Sequence, residues 1–154
     1  DTVITKSPTC TDYDLVQAEK LGAIIGKKPT EFGLEVFKMR GGDNDLSVEE
    51  LCTHDSKEFK KGDDVYMVAQ HETVTLDVAM EREAEYREFL RQKVAENGYK
   101  FALLLVTDIF NEGSKFICEG DVAPVSEAFG IDATKAEWVD GILSRKKQVI
   151  PPLS

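Results

Sequence analysis

The segment FALLLV, residues 101–106, decides the fold because it is short, continuously apolar and directly follows a long helical pattern. A run of this length is typical of a strand buried on both faces, whereas a buried helix needs a longer one. Segments with helical and strand patterns alternate on both sides of it. The sequence therefore predicts an α/β fold in which a mixed, mostly buried β-sheet is flanked by helices and preceded by a short helical segment.

A long helix is predicted directly before this strand, from about residue 76 to residue 97. Thr75 stands at its N-cap position, apolar residues recur at helical spacing along it, and Gly98 follows its last turn. The predicted order is therefore a long helix, a glycine stop and a central strand.

A β-hairpin is predicted before that helix. KEFKK at residues 57–61 and VYMVAQHETV at residues 65–74 have strand composition and flank a turn that begins at Gly62. Because side chains alternate along a strand, Lys57 shares a face with Phe59, and only some of the neighbouring lysines can share a site with it.

The first 40 residues predict the end of a strand and two helices. Residues 1–6 alternate in polarity and read as the end of a strand. Thr11 and Asp14 form a capping-box pattern that begins a helix, and Gly26 ends it. A second helix is predicted over about residues 30–40.

Composition and charge exclude several classes of function. Asp and Glu number 29 against 19 Lys and Arg, so the formal net charge of −10 argues against partners such as duplex DNA or an anionic membrane surface. No apolar run approaches the ~18 residues of a membrane-spanning helix. Cys10, Cys52 and Cys118 lie far apart, so neither a disulfide scaffold nor a zinc site is predicted, and the reducing cytoplasm is the expected location.

The basic segment SRKKQ at residues 144–148 is the most specific local signal. Apolar residues flank it on both sides, which predicts that its cations are carried on an ordered strand. Arg145 offers a planar fork and Lys146 a compact charge, a pairing that suits clustered phosphate oxygens. Lys147 would point to the opposite face of that strand from Lys146. A solvated basic run near a chain terminus is the alternative interpretation.

Lys57 and Asp108 each allow two interpretations, and the small number of histidines argues against a metal site. Lys57 either joins the anion site or protects the edge of a solvated hairpin. Asp108 ends the buried strand, where it either serves function or caps the following turn through Asn111. His54 and His71 are the two histidines of the chain, too few for a histidine-rich metal site.

Motifs along the whole chain point to one enzyme family. They are DTVITKSPTCTDYD at the start, HDSKEF at 54–59, HETVTLDVAMER at 71–82, LLLVTDIFNEGS at 103–114 and SRKKQVIPPL at 144–153. Together, and in this order, they resemble the second half of the manganese-dependent inorganic pyrophosphatases of the DHH phosphoesterase superfamily.

The resemblance implies a division into domains. In this family an N-terminal DHH domain holds two manganese ions, and a C-terminal DHH-associated domain closes over them. Residues 1–40 then resemble the tail of the metal-binding domain, residues 41–46 the interdomain linker, and residues 47–154 the DHH-associated, substrate-binding domain. The glycine- and aspartate-rich composition of the linker segment agrees with that division.

The resemblance also implies roles for individual residues. Asp1 matches a metal-ligand aspartate of the family, and Lys57, Arg145 and Lys146 match the cations that bind pyrophosphate. The implied chemistry is hydrolysis of pyrophosphate to phosphate by two metal ions, with the cations stabilising the leaving phosphate.

The remaining family ligands are missing from this chain, so we expect the chain alone to be inactive and to need an N-terminal DHH domain as partner. Its first helices would lack their packing partner, so they should pack on the rest of the chain or drive homo-oligomerisation. Three alternatives stay open: an exopolyphosphatase-type phosphoesterase, a non-catalytic phosphate- or nucleotide-binding module, and a structural interaction domain.

Overall fold

The computed structural model describes residues 4–39 and 45–154. Helices, strands and one π-helical turn follow one another in these residues: α1 Asp12–Ile25, α2 Pro29–Met39, α3 Val48–Thr53, β1 Ser56–Lys61, β2 Asp64–Thr73, α4 Leu76–Met80, α5 Glu83–Asn97, β3 Phe101–Asp108, β4 Gly113–Gly120, α6 Ala123–Phe129, β5 Glu137–Asp140, the π-helical turn Arg145–Val149, and α7 Ile150–Leu153.

The strands form one mixed sheet in the order β1-β2-β3-β4-β5. The β2–β3 pair is parallel and the other pairs are antiparallel. Every residue of β3 is buried, which explains why its first six residues are apolar without alternation. The predicted α/β class and the central position of FALLLV are confirmed.

Helices cover both faces of this sheet. On one face, α3, α4 and α5 pack in what we call the first cluster, which includes Leu51, Ala79, Tyr86, Leu90, Ala102, Leu104 and Val106. On the other face, α6, the π-helical turn and α7 pack in the second cluster, which includes Tyr66, Val68, Leu103, Leu105, Phe116, Val125, Val149 and Leu153. Alternate residues of β3 therefore serve opposite clusters, as the two-residue period of a strand requires.

The predicted hairpin is present as β1 and β2. Lys61 pairs with Asp64, so the connecting turn has two residues. Its first residue, Gly62, has a φ of 62°, a left-handed conformation that glycine adopts without a steric penalty. This turn fixes the register that places Lys57 opposite Val68.

Local capping signals are also confirmed. The Thr11 side chain accepts a hydrogen bond from the Asp14 N–H, and the Asp14 carboxylate accepts one from the Thr11 N–H. These hydrogen bonds from Thr11 lower the pKa of Asp14. At the other end of α1, Gly26 has a φ of 67° and ends the helix.

The single long helix predicted before the central strand is wrong, because the chain forms two helices with a turn at Glu81 and Arg82. Arg82 has φ −95° and ψ 15°, and its guanidinium donates to the carbonyl of Leu46 at 2.6 Å. The Thr75 side chain makes no capping hydrogen bond. Apolar spacing did not reveal the break because α4 and α5 both contribute to the first cluster.

The strand predicted over residues 1–6 is not found in the part that the structure describes. Residues 4–6 form a turn in which Ile4 and Thr5 have φ values of 53° and 66°, a left-handed conformation that no strand adopts. Residues 1–3 lie outside the described residues, as do residues 41–44 of the predicted linker.

Candidate functional site

The basic segment near the C-terminus is a helical turn, so the strand predicted for it is wrong. Arg145–Val149 forms a π-helical turn that continues into α7. Val149 and Leu153 are four residues apart, and both are buried in the second cluster. A helical conformation places residues at this spacing on one face, so both side chains can pack in the second cluster.

Arg145 connects this turn to the start of the β-hairpin. Its Nη2 donates to Asp55 Oδ1 at 2.6 Å, and its Nη1 donates to the main-chain carbonyls of Asp55 and of Val68, the latter at 3.3 Å. Arg145 is 8% exposed, whereas the Asp55 side chain is half exposed. A nearly buried guanidinium with this many acceptors has a fixed orientation.

Gln70 fixes the backbone on which Arg145 is carried. Its Nε2 donates to Thr107 Oγ1 at 3.0 Å and to the carbonyl of Leu143 at 3.2 Å, while its Oε1 accepts from the Arg145 N–H at 3.2 Å. This amide is buried, so each of these bonds is made away from water. The loop before the π-helical turn is thereby held against β2 and β3.

Two further side chains anchor the same loop. Ser114 of β4 lies 2.7 Å from Thr107 Oγ1 and donates to the carbonyl of Ile142 at 2.7 Å. Gln148 folds back so that its Oε1 accepts from the N–H groups of Leu143 and Ser144, each at 2.9 Å. The loop and the turn therefore form a polar network that spans three neighbouring strands.

Lys57 of β1 and Lys146 of the π-helical turn are both exposed. Lys57 pairs across the ladder with Val68, whose carbonyl Arg145 contacts, and paired residues of an antiparallel ladder point to the same face. Neither lysine forms a hydrogen bond or an ion pair with another residue in the described part of the chain. Lys57 therefore stands opposite the strand residue whose main-chain carbonyl the Arg145 guanidinium contacts.

Lys147 is exposed but makes a contact with the N-terminal part of the chain. Its Nζ donates to the carbonyl of Pro8 at 2.7 Å. Pro8 belongs to the SPTCT motif, in which the Ser7 hydroxyl accepts from the Thr9 N–H. The contact therefore joins two of the motifs that carried the resemblance.

Asp108 caps the turn that follows β3. Its Oδ1 accepts from the N–H groups of Phe110 and Asn111 at 2.8 and 3.1 Å, and its Oδ2 accepts from Asn111 Nδ2 at 2.6 Å. Of the two readings left open by the sequence, the structure supports the turn cap.

The described residues do not fit a metal centre. No group of three or more His, Cys, Asp or Glu side chains within residues 4–39 and 45–154 is arranged to hold a metal ion. Asp1, the predicted metal ligand, lies outside the described residues. His54 ends α3 and His71 lies in β2.

Sequence reasoning missed three residues that organise the site: Asp55, Gln70 and Gln148. Asp55 and Gln148 stand inside the HDSKEF and SRKKQ motifs, of which only the cations were predicted to bind an anion. Gln70 follows the run VYMVA of β2, and a lone amide at the end of an apolar strand segment is a signal for a buried hydrogen-bonding role.

The structure describes no helix with the length and apolar character that crossing a membrane requires. This agrees with the absence of a long apolar run in the sequence.

Comparisons with known proteins agree with the motif resemblance. The manganese-dependent inorganic pyrophosphatase of Bacillus subtilis is 36% identical over 156 residues, and the match covers 100% of this chain and 50% of that protein. The cobalt-dependent inorganic pyrophosphatase of Clostridium perfringens is 37% identical over 158 residues, which are 28% of its length. The chain thus spans half or less of the length of these relatives.

The fold agrees with a solved structure as well. A crystal structure from Methanococcus jannaschii, assigned to the family II inorganic pyrophosphatases, superposes with a TM-score of 0.86 at 34% identity. The superposition covers 99% of this chain and 50% of that one. Residues 34–154 match the DHHA2 domain family, so the chain belongs to this family.

Proposed function

We propose that this chain is the C-terminal, substrate-binding half of a manganese-dependent inorganic pyrophosphatase. In this proposal Lys57, Arg145 and Lys146 bind the oxygens of pyrophosphate, which is hydrolysed to phosphate. The names of the relatives and the family match support the reaction, and the sheet face described above supports the residues.

The observation that carries the proposal is the fixed guanidinium of Arg145 at the sheet. Arg145 is nearly buried, Lys146 follows it in the π-helical turn, and Lys57 pairs across the ladder with Val68, whose carbonyl Arg145 contacts; both lysines are exposed. The chain has a net charge of −10, yet Arg145 and Lys146 are adjacent cations, and such a pair favours a ligand with several negative oxygens. Pyrophosphate is such a ligand.

In this proposal, manganese is bound by residues outside the described part of the chain. Because the described part of the chain has no group able to hold a metal, we assign the metal ions to a separate N-terminal DHH domain, with Asp1 as one ligand. The residues described here would orient pyrophosphate and offset its charge as the leaving phosphate forms.

The domain boundaries and setting follow from the same proposal. Residues 1–40 form the tail of the metal-binding domain, residues 41–46 the linker and residues 47–154 the DHH-associated domain. The family match begins earlier, at residue 34. We place the protein in the cytoplasm, with the N-terminal DHH domain as its partner and with homo-oligomerisation as a further expectation.

Substitutions in a full-length protein that contains this chain test the proposal. We expect Arg145→Ala to lower kcat/KM for pyrophosphate by about 10²–10³-fold, the usual cost of removing a charge-stabilising donor. Lys57→Ala and Lys146→Ala should lower it less. Lys60→Ala is the matched control, because Lys60 is an exposed lysine of the same strand on the opposite face, and it should leave kcat/KM unchanged.

Two further measurements separate this function from its rivals. The chain alone should not hydrolyse pyrophosphate in the presence of manganese, and a turnover rate equal to that of a full-length relative would contradict the division of labour. Hydrolysis that rises with polyphosphate chain length would indicate an exopolyphosphatase. Saturable pyrophosphate binding without hydrolysis by the full-length protein would indicate a binding module.

A further inference from the structure

The guanidinium of Arg145 has donors that the protein does not use. An arginine side chain carries five N–H groups. Nη1 donates to the carbonyls of Asp55 and Val68, and one Nη2 proton goes to Asp55 Oδ1. No other residue in the described part of the chain accepts from this side chain. The Nε–H and the second Nη2–H are therefore left over, and they lie on the same edge of the planar group.

This unused edge is open to a ligand. Although Arg145 is 8% exposed, none of its nitrogens is among the fully buried side-chain atoms that lack a partner in the described residues. Nε, which has no partner in the described residues, therefore keeps contact with solvent. Two parallel N–H donors at this separation match two oxygens of one phosphoryl group, which is the geometry of bidentate arginine recognition.

Asp55 determines which edge remains open. Its carboxylate and its main-chain carbonyl both bind the opposite edge, formed by Nη1 and Nη2. Without the carboxylate, the long arginine side chain would keep the main-chain acceptors but lose its charged one, and rotation about its last bonds would become easier. A single residue thus fixes the orientation of the group on which anion binding depends.

We propose that Asp55 is a positioning residue for anion binding: it holds Arg145 so that the Nε–Nη2 edge receives two oxygens of one phosphoryl group of pyrophosphate. This inference rests on the proposed function, since it assigns the ligand of Arg145. It adds a residue and a binding geometry for that site.

The sign of one mutational effect separates this role from simple electrostatics. Asp55 is an acid beside a site for an anion, so removal of its charge should strengthen pyrophosphate binding if charge alone matters. If Asp55 positions Arg145, its removal should weaken binding. The two explanations predict opposite changes.

The experiment is a titration of the 154-residue chain with pyrophosphate, monitored through the ¹H–¹⁵N NMR signal of the Arg145 Nε–H group. We expect this resonance to shift and saturate. Asp55→Ala should raise the dissociation constant by about tenfold, and Asp55→Asn, which keeps a neutral acceptor, by a smaller factor. Asp63→Asn is the control: it removes an acid of equal charge from the exposed hairpin turn and should leave the dissociation constant unchanged.

Each outcome bears on a different part of the inference. Tighter binding by Asp55→Ala, together with weaker binding by Arg145→Ala, would overturn the positioning role and leave the proposed function standing. If Arg145→Ala binds as the original chain does, or if the Nε–H signal never responds, the assigned ligand of Arg145 is wrong and the proposed function fails with it. If Asp55→Ala does not fold, the dissociation constants of the original chain and of Asp55→Asn still show whether loss of the acid weakens or strengthens pyrophosphate binding.

Discussion

At the residue scale, the site depends on one buried amide. Gln70 makes hydrogen bonds to Thr107, to the carbonyl of Leu143 and to the N–H of Arg145. Two of these partners are main-chain groups of the loop that carries the site. Because a buried polar group without a partner is costly, the loop conformation and the amide stabilise each other.

We therefore expect Gln70→Leu to lower the free energy of unfolding by about 2–4 kcal/mol, since the substitution leaves the main-chain groups of Leu143 and Arg145 without a partner. Urea unfolding followed by circular dichroism measures this. Gln92→Leu makes the same chemical change at an exposed position of α5 and should cost less than about 0.5 kcal/mol. Equal effects of the two substitutions would show that the buried network does not stabilise the loop.

The cysteines give a second prediction at this scale. Burial raises the pKa values of Cys52 and Cys118 to about 12 from 9.0. Both thiols therefore stay neutral in the folded chain while they ionise in the unfolded one, so their contribution to stability is present below pH 9 and is lost as the pH rises towards 12. At about pH 8, iodoacetamide should modify the half-buried Cys10 and spare the other two until the chain unfolds. Mass spectrometry of the labelled chain tests this.

What the sequence could predict about residues depended on whether their role is local. Thr11 and Asp14 cap a helix three residues apart, and the pattern identifies them completely. Arg145 could be proposed as an anion-binding residue from its type and neighbours. Its partner Asp55 lies 90 positions away in sequence, so no local pattern could join them.

At the element scale, β4 and β5 meet at a position where no side chain fits. Gly113 pairs with Asp140, and a Cβ added to Gly113 would lie 2.2 Å from Cζ2 of Trp138. A real Cβ never comes this close to another atom, so the indole ring would have to move. Because β5 is an edge strand, the strain should act mainly on its pairing.

Gly113→Ala should therefore destabilise the chain by about 1–3 kcal/mol, the usual cost of overpacking. A double-mutant cycle isolates the cause: in a Trp138→Ala background the ring is gone, and the same glycine substitution should cost much less. Thermal unfolding of the four proteins provides the comparison. An unchanged cost in the Trp138→Ala background would mean that the glycine is needed for its backbone and not for space.

Elements were predictable where local chemistry sets them. The hairpin follows from a glycine turn between two strand-like runs, and β3 follows from its continuous apolar sequence. The turn at Glu81 and Arg82 could not be read in this way, because the helices on either side of it both face the first cluster. The π-helical turn was misread as a strand because its apolar flanks fit either conformation until their burial against α6 and the sheet is known.

At the scale of the whole molecule, the helices before the sheet keep apolar side chains in solvent. Leu21, Ile24 and Ile25 of α1 are 60%, 79% and 52% exposed. Their spacing places them on one helical face. They do not pack on the rest of the described chain, which was one of the two expectations for these helices. The other expectation, self-association, remains a prediction.

We expect the 154-residue chain to associate as its concentration rises, because folded monomers rarely leave such a face uncovered. Sedimentation velocity at increasing concentration measures this. Leu21→Asn and Ile24→Asn should each shift the distribution towards monomer, since each replaces part of the apolar face by an amide. Lys20→Asn places the same amide at an exposed polar position of α1 and should leave the distribution unchanged.

The same measurement can be repeated with the proposed N-terminal DHH domain added as a separate protein. It then shows which partner covers the apolar face of α1. If that domain covers α1 in the full-length protein, its addition should dissociate the self-associated chain into a complex of one copy of each, and Ile24→Asn should weaken this complex. If the chain stays self-associated in excess DHH domain, the α1 face joins copies of the chain. A chain that is monomeric at every concentration and does not bind the added domain would contradict both assignments, because the exposed face would then have no partner of either kind.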